Sequence, residues 1–242
     1  MRMDALPVIR PLLGALQRFV LPHRCLLCGA AGDHGLDLCR DCAAELPRNR
    51  VCCARCALPL PEPAELCGQC QRRPPPWDAA WVPFRYAWPL DRLESRFKFG
   101  ADLAAGRVLS SLWLREPRPP ELPTWLVPVP LHLGRLRTRG YNQALELAKP
   151  LAGCLDVSIH ADALKRLRST AAQTELGALD RRRNVRAAFS TRPSVTWPAH
   201  VALLDDVMTT GATLAECARV LKRAGVQRVD VWALARAPAA KH

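Results

Sequence analysis

The stretch His200-Val201-Ala202-Leu203-Leu204-Asp205-Asp206-Val207-Met208-Thr209-Thr210-Gly211-Ala212-Thr213 decides how the chain is read. Its first half is a short apolar run that ends in two acids. A run of this length without alternation suits a parallel strand covered on both faces. Residues 208–213 form a turn of small and hydroxyl residues. After it, Leu214, Cys217, Ala218 and Leu221 recur at helical spacing, with Glu216, Arg219, Lys222 and Arg223 turned the other way. Gly225 marks the stop of that helix, and residues 229–234 read as the next strand. Strand, turn, helix and strand make a βαβ unit, which predicts an α/β domain with a parallel sheet.

The turn carries chemistry as well as topology. Ligands of open parallel sheets bind at the carboxyl ends of strands. A helix start presents unpaired N–H groups and the positive end of the helix dipole, so it attracts an anion. Thr209, Thr210 and Thr213 add hydroxyl donors, and Gly211 lets the backbone come close. Two carboxylates beside an anion site conflict unless the ligand also brings hydroxyl groups or a divalent metal. A ribose 5-phosphate meets both demands. The plainer reading is helix capping by Asp and Thr, but one cap suffices and several polar residues crowd this turn.

Upstream, nine of the eleven cysteines fall between Cys25 and Cys70. Four CxxC pairs stand out: Cys25/Cys28, Cys39/Cys42, Cys53/Cys56 and Cys67/Cys70. The unit C-x2-C-x10-C-x2-C occurs twice with a shift of 28 residues, which marks an internal repeat. A CxxC turn aims two thiolates at one point, and two turns close a tetrahedron around zinc. Four thiolates leave no open coordination position, so the role is structural, and the metal supplies stability that so small a segment cannot bury. Sequential and interleaved pairing of the four turns are both compatible with the spacing, as are one ion or two, and Cys52 is an alternative ligand. A thioredoxin-like dithiol would need a surrounding βαβ pattern that is missing here. Cys154 and Cys217 read as small core residues.

Between these two regions, Arg72-Arg73-Pro74-Pro75-Pro76-Trp77 reads as a stiff spacer. The expected organisation is an amphipathic helix over residues 1–24, a cysteine module over 25–73 and the α/β domain over 78–238. Within that domain residues 81–86 look strand-like, and residues 93–99 and 106–114 look helical. Residues 126–130 read as a strand stopped by its prolines. Residues 141–149 read as a helix that Pro150 should end or kink.

A formal net charge of +13 sets the chain among proteins that spend time near polyanions, with nucleic acids and phosphorylated metabolites the natural candidates. No stretch reaches about 20 uninterrupted apolar residues, so no membrane-crossing helix is expected. Residues 12–21 are apolar-rich, but Gln17 and Arg18 interrupt them and no cleavage site follows, so no export signal is expected either. The chain is therefore read as cytoplasmic, where cysteines stay reduced and bind metal more readily than they form disulfides.

Residues 201–213 closely resemble the PRPP-binding motif of type I phosphoribosyltransferases. Combined with the paired cysteines, the resemblance narrows to the competence-associated ComF/GntX family. Val127-Pro128-Val129-Pro130 followed by Arg135, Arg137 and Arg139-Gly140-Tyr141-Asn142-Gln143 resembles that family's loop after the first sheet strand. Thr170, Gln173, Leu176, Arg181, Asn184 and Phe189 resemble its T-x2-Q-x2-L-x4-R-x2-N-x4-F segment, and Phe97-Lys98-Phe99-Gly100 its K-[YF]-x-G stretch. The resemblance implies a type I phosphoribosyltransferase-like sheet with helices on both faces, preceded by a zinc module. It implies that Asp205 and Asp206 contact ribose hydroxyls. It gives the 5-phosphate to Thr209, Thr210, Gly211, Ala212 and Thr213, and the pyrophosphate or a DNA backbone to Arg135, Arg137, Arg139 and Arg181. Magnesium would accompany PRPP. Family members are linked to natural transformation, which implies single-stranded DNA, a competence helicase or a membrane pore protein as partners.

Arg135, Arg137 and Arg139 alternate, so in an extended loop they would point one way. Lys165, Arg166, Arg168, Arg181, Arg182, Arg183 and Arg186 form a second basic group, and arginine forks suit phosphates. Tyr141, Phe97, Phe99, Trp81 and Trp88 are candidate base-stacking platforms, with core packing as the plainer role. Three functions fit: a binder of single-stranded DNA or ribose phosphate, an active PRPP-dependent transferase using Asp205 and Asp206, and a zinc-scaffolded adaptor.

Overall fold

The computed structural model describes residues 22–168, 185, 187–193 and 195–238. The helix expected over residues 1–24 lies almost wholly outside them. In chain order the elements are α1 (Arg40–Ala44), α2 (Gly68–Arg72), β1 (Ala79–Trp81), β2 (Phe84–Arg85), α3 (Leu90–Phe99), α4 (Leu103–Leu114), β3 (Trp125–Pro128), α5 (Leu133–Arg139), α6 (Gln143–Leu155), β4 (Ser158–Ile159), β5 (Leu164–Arg166), β6 (Phe189–Thr191), β7 (His200–Met208), α7 (Ala212–Arg223) and β8 (Arg228–Arg236). The chain divides into two compact units, one up to Leu46 and one from Pro47 onward. The second cysteine group thus belongs to the same unit as the sheet.

The sheet runs β1-β8-β7-β3-β4, with β2 adding a further contact on β8, and every one of these pairings is parallel. The α/β class expected from the sequence is therefore present. Strands β7 and β8 form its centre, in register Leu203 to Val231 and Leu204 to Trp232. Val201, Ala202, Leu203, Leu204, Val229 and Val231 are fully buried, which is why the first half of β7 reads as an unbroken apolar run. Separately, β5 and β6 pair antiparallel. From β3 the chain crosses toward β4, whereas from β7 it crosses toward β8. The sheet order reverses between β3 and β7, and a crevice at such a point is where ligands of open α/β sheets bind.

Three local expectations are corrected. The strand read over residues 81–86 is broken into β1 and β2 around Val82-Pro83, because proline cannot donate to a ladder. Pro150 does not end α6, which continues to Leu155. Leu147, Ala148 and Leu151 are fully buried there, and their packing outweighs one lost hydrogen bond. The arginine stretch read as extended is instead helix α5, capped by His132 Nδ1 accepting from Gly134 N at 3.1 Å and ended by Gly140 at φ +80°.

Helices α3 and α4 pack together at Gly106, where an added Cβ would stand 2.6 Å from the Phe97 ring. Gly106→Ala is therefore expected to destabilise the protein by about 1–3 kcal/mol through overpacking, although alanine favours helices. Urea unfolding followed by circular dichroism would measure it.

Candidate phosphate-binding site and metal centres

Asp205 and Asp206 are the sixth and seventh of the nine residues of β7, toward its carboxyl end. Asp205 is half-buried and Asp206 is buried. Each carboxylate accepts from the next backbone N–H: Asp205 Oδ1 from Asp206 at 3.0 Å, and Asp206 Oδ1 from Val207 at 2.7 Å. These local bonds help fix the pair, and both acids border one cavity of about 700 Å3 at the crevice between β3 and β7.

Lys98, in the last turn of α3, decides the charge of the pair. Its Nζ stands 2.8 Å from Asp206 Oδ2 and 3.6 Å from Glu94 Oε1. Glu94 is only 1% exposed. Burial pushes the Asp206 carboxyl up, but the Lys98 ammonium more than offsets this and holds it below its ordinary value. Burial, then the charge on Asp206, pushes Asp205 up to about 8. The same two causes hold Glu94 well above the usual carboxylate range. Burial pulls Lys98 down, yet Asp206 and Glu94 together raise it. Near neutral pH the Lys98 ammonium offsets the Asp206 carboxylate, and Asp205, raised to about 8, is mostly protonated, so the acid pair carries little net charge. The apparent conflict between an acid pair and an adjacent anion site is removed. The sequence contained Lys98 but gave no sign that it would meet Asp206.

The turn after β7 divides its residues between two cavities. Thr209 and Thr213 face the cavity of the acids, whereas Thr210, Gly211 and Ala212 line a second one. Gly211 has φ +70°. A Cβ there would come 2.9 Å from the Trp77 ring and 3.0 Å from Met208 Cε, so both conformation and space demand glycine. Thr210 Oγ1 accepts from Ala212 N at 3.3 Å, capping the helix start.

Opposite the acids, helix α5 presents Arg135 and Arg139, four residues apart and so on one face. Arg137 is exposed and does not line the cavity, as the helical period requires. Arg139 Nη1 donates to Gln143 Oε1 at 2.9 Å, and its guanidinium lies 5.7 Å from the centre of the Phe99 ring. Arg166, from the second basic group, also reaches this cavity. Arg181 and the matching positions from Thr170 to Asn184 lie outside the described residues. Of the candidate stacking aromatics, Trp81 and Phe97 are core. The Tyr141 hydroxyl donates to the Phe97 carbonyl. Phe99 at 70% and Trp88 at 63% exposure remain open, and Phe99 lines the cavity.

The cysteines form two sequential groups, Cys25/Cys28/Cys39/Cys42 and Cys53/Cys56/Cys67/Cys70, in each of which all four Sγ atoms lie within 4.8 Å of one another. This decides between the two pairings left open by the spacing, and Cys52 belongs to neither group. Zinc with Zn–S bonds of about 2.3 Å sets tetrahedral sulfurs about 3.8 Å apart. The Cys28–Cys39 and Cys56–Cys67 sulfurs are each 3.7 Å apart, so both groups fit the ion. The local geometry repeats with the 28-residue shift. Cys39 Sγ accepts from Cys42 N at 3.5 Å and Cys67 Sγ from Cys70 N at 3.4 Å. Leu26 N donates to Asp37 O and Ala54 N to Glu65 O, each at 2.9 Å. The second group is fastened to the sheet. Trp77 Nε1 donates to Arg55 O at 2.6 Å. Arg236, buried on β8, donates to Cys56 O at 3.1 Å and Met208 O at 3.0 Å, and to the Thr209 carbonyl.

Residues 16–71 match the double zinc ribbon domain. Over 174 residues the chain is 39% identical to competence protein F of Haemophilus influenzae, covering 69% of this chain and 76% of that protein. The chain belongs to the ComF/GntX family. Its similarity to the DNA utilization protein YhgH of Escherichia coli K12 is 37% identity over 171 residues, covering 68% of this ComF/GntX chain and 75% of YhgH. Competence protein ComFC of Streptococcus pneumoniae is 28% identical over 153 residues, covering 63% and 66% of the two chains. Among the described residues of this ComF/GntX protein, no helix is long and apolar enough to cross a membrane.

Proposed function

We propose that this ComF/GntX protein acts in competence or DNA uptake and that its acid-pair cavity holds a ribose 5-phosphate. The relatives named for competence and DNA utilization support the first part. The observation that carries the second is the Lys98-neutralised Asp205–Asp206 pair, facing Arg135 and Arg139 across one cavity. Thr209, Thr213 and the start of α7 receive the phosphate, where backbone N–H groups and the dipole favour an anion. Asp206 accepts from a ribose hydroxyl, and neutral Asp205 is able either to donate or to accept. Arg135 and Arg139 hold a second phosphate group or a pyrophosphate. A DNA strand fits the acids less well, because its sugars lack the 2′-hydroxyl and their 3′ oxygens are esterified.

Magnesium directly ligated by the acid pair does not fit this site. The Lys98 ammonium already stands against Asp206, and burial and the Asp206 charge raise Asp205 to about 8, so neither carboxyl readily offers a free charge to a metal. PRPP is accordingly expected to bind in the presence of EDTA. Zinc in the two cysteine groups supplies structural cross-links and no reactive position.

Calorimetric titration with PRPP tests this reading. The Arg135→Ala/Arg139→Ala protein is expected to bind at least about tenfold more weakly, since each charge-assisted hydrogen bond contributes about 1.5–3 kcal/mol. Equal affinity of the two proteins, or no heat with millimolar PRPP, would remove the ribose-phosphate site.

A further inference from the structure

Arg236 stands at the carboxyl end of β8 and is 7% exposed. Its backbone is fixed on both sides, in register with Met208 on β7 and with Arg85 on β2. Among the described residues its side chain donates only to backbone carbonyls. Nε donates to Cys56 O at 3.1 Å, and Nη1 to Met208 O at 3.0 Å, to Ala237 O at 2.8 Å and to the Thr209 carbonyl. A buried cation also needs a counter-charge. The second cysteine group supplies one, because four thiolates around a zinc ion carry a net charge of about −2.

One guanidinium thus joins a metal knuckle to the turn after β7, and a second strut runs from the same knuckle. Trp77 is 3% exposed, its Nε1 donates to Arg55 O at 2.6 Å, and its ring abuts Gly211. Arg55 and Cys56 are consecutive residues of the Cys53–Cys56 turn. Carbonyl and N–H point opposite ways across a trans peptide. Holding the Met208 and Thr209 carbonyls therefore turns the Thr209 and Thr210 N–H groups away from Arg236.

We infer that Arg236 is a positioning residue for the turn over residues 208–213, and that zinc in the second cysteine group and the ribose phosphate strengthen each other's binding through it. The inference rests on the ribose-phosphate reading for the identity of the ligand. A knuckle closed on its metal keeps the Arg55 and Cys56 carbonyls in place. Once it opens, Arg236 and Trp77 follow those carbonyls, and the N–H groups of the turn lose their aim. Cys25, Cys28, Cys39 and Cys42 belong to the other compact unit and supply none of these bonds.

Zinc retention against a chromophoric chelator, with and without saturating PRPP, reads the coupling in the unaltered full chain. Two coupled sites change each other's affinity by the same factor, usually about 5–150-fold. With PRPP bound, one of the two zinc ions is expected to be held at least about fivefold more tightly. That ion is the one missing from the Cys70→Ser protein, which still binds PRPP but at least about fivefold more weakly. Arg236→Met is expected to keep both ions, to weaken PRPP binding by a similar factor and to abolish the protection of zinc by PRPP. Trp77→Phe keeps a ring near Gly211 and loses the bond to Arg55 O; its expected partial loss of protection keeps the result readable if Arg236→Met folds poorly. Tight PRPP binding with no change in the retention of either ion would overturn the inference. So would full protection in a folded Arg236→Met protein. Absence of PRPP binding by the unaltered chain would instead strike the ribose-phosphate reading. Hydrogen exchange then decides the strut by itself: amides of residues 209–213 are expected to exchange at least about fivefold faster in Cys70→Ser than in the unaltered chain, and equal rates would overturn it.

Discussion

Replacing Cys70 by serine is expected to lower the melting temperature of the whole unit from Pro47 onward, by roughly 10 °C. Structural zinc in small domains contributes about 10–16 kcal/mol of binding free energy that appears as folding free energy. Losing even about 3–5 kcal/mol of it shifts a unit of this size by about 2–4 °C per kcal/mol. The effect spreads because the second cysteine group is not a free appendage. Arg236 joins Cys56 O to the Met208 and Thr209 carbonyls, and Trp77 joins Arg55 O to the space against Gly211. Loosening that ribbon removes partners from the turn over residues 208–211 itself. The corresponding change at the first group, Cys42→Ser, is expected to release one zinc ion while leaving that melting transition in place, because Cys42 lies in the unit up to Leu46. Zinc release measured with a chromophoric chelator, together with calorimetry, distinguishes the two. Equal shifts from both substitutions would contradict the division.

Lys98→Met is expected to cost about 3 kcal/mol at pH 8, the usual order for removing one partner of a buried ion pair. Without the ammonium, Asp206 faces buried Glu94 and Asp205 with no cation in ion-pair contact with it among the described residues. The pH dependence gives the cause away. In the native protein the Asp206 pKa is depressed, so its contribution to stability is present above the unfolded carboxylate pKa and is lost as pH falls through the folded value. In Lys98→Met the same acid is raised by burial, and stability instead falls as pH climbs through the carboxylate range. The gap between the two proteins should therefore widen from pH 5 to pH 8 in urea unfolding. Asp205 supplies the contrast. Its raised pKa, about 8, means that native stability already declines as pH rises from about 4 toward 8. Asp205→Asn is expected to remove that decline and to stabilise the protein increasingly up to pH 8, while weakening PRPP binding. A pH-independent gap for Lys98→Met would show that lost packing, and not charge, is the cause.

The stability cost of Asp205 explains something the chain could avoid but does not. An asparagine would satisfy the strand end at lower cost, so the acid fits a ligand better than it fits the fold. The same holds for Phe99, which stays 70% exposed beside the cavity although its neighbour Phe97 is fully buried.

Much of this protein was legible in its sequence because the relevant signals are local. Each four-cysteine group closes within eighteen residues, so the 28-residue repeat marked the eight ligands and their metal-binding role, while their division into two sequential groups came only from the fold. The β7–α7–β8 unit was legible for the same reason, since an unbroken apolar run and a 3.6-residue period describe burial element by element. Arg135, Arg137 and Arg139 were misread because alternation means one face only in an extended chain. On helix α5 it separates Arg137 from the other two. Two features were decided by tertiary structure alone. Lys98 reaches Asp206 across 108 residues, and Arg236 reaches Cys56 across 180. Charge and backbone partners so far apart are chosen by how packed elements bring them together in a low-dielectric interior, and no spacing along the chain records that choice.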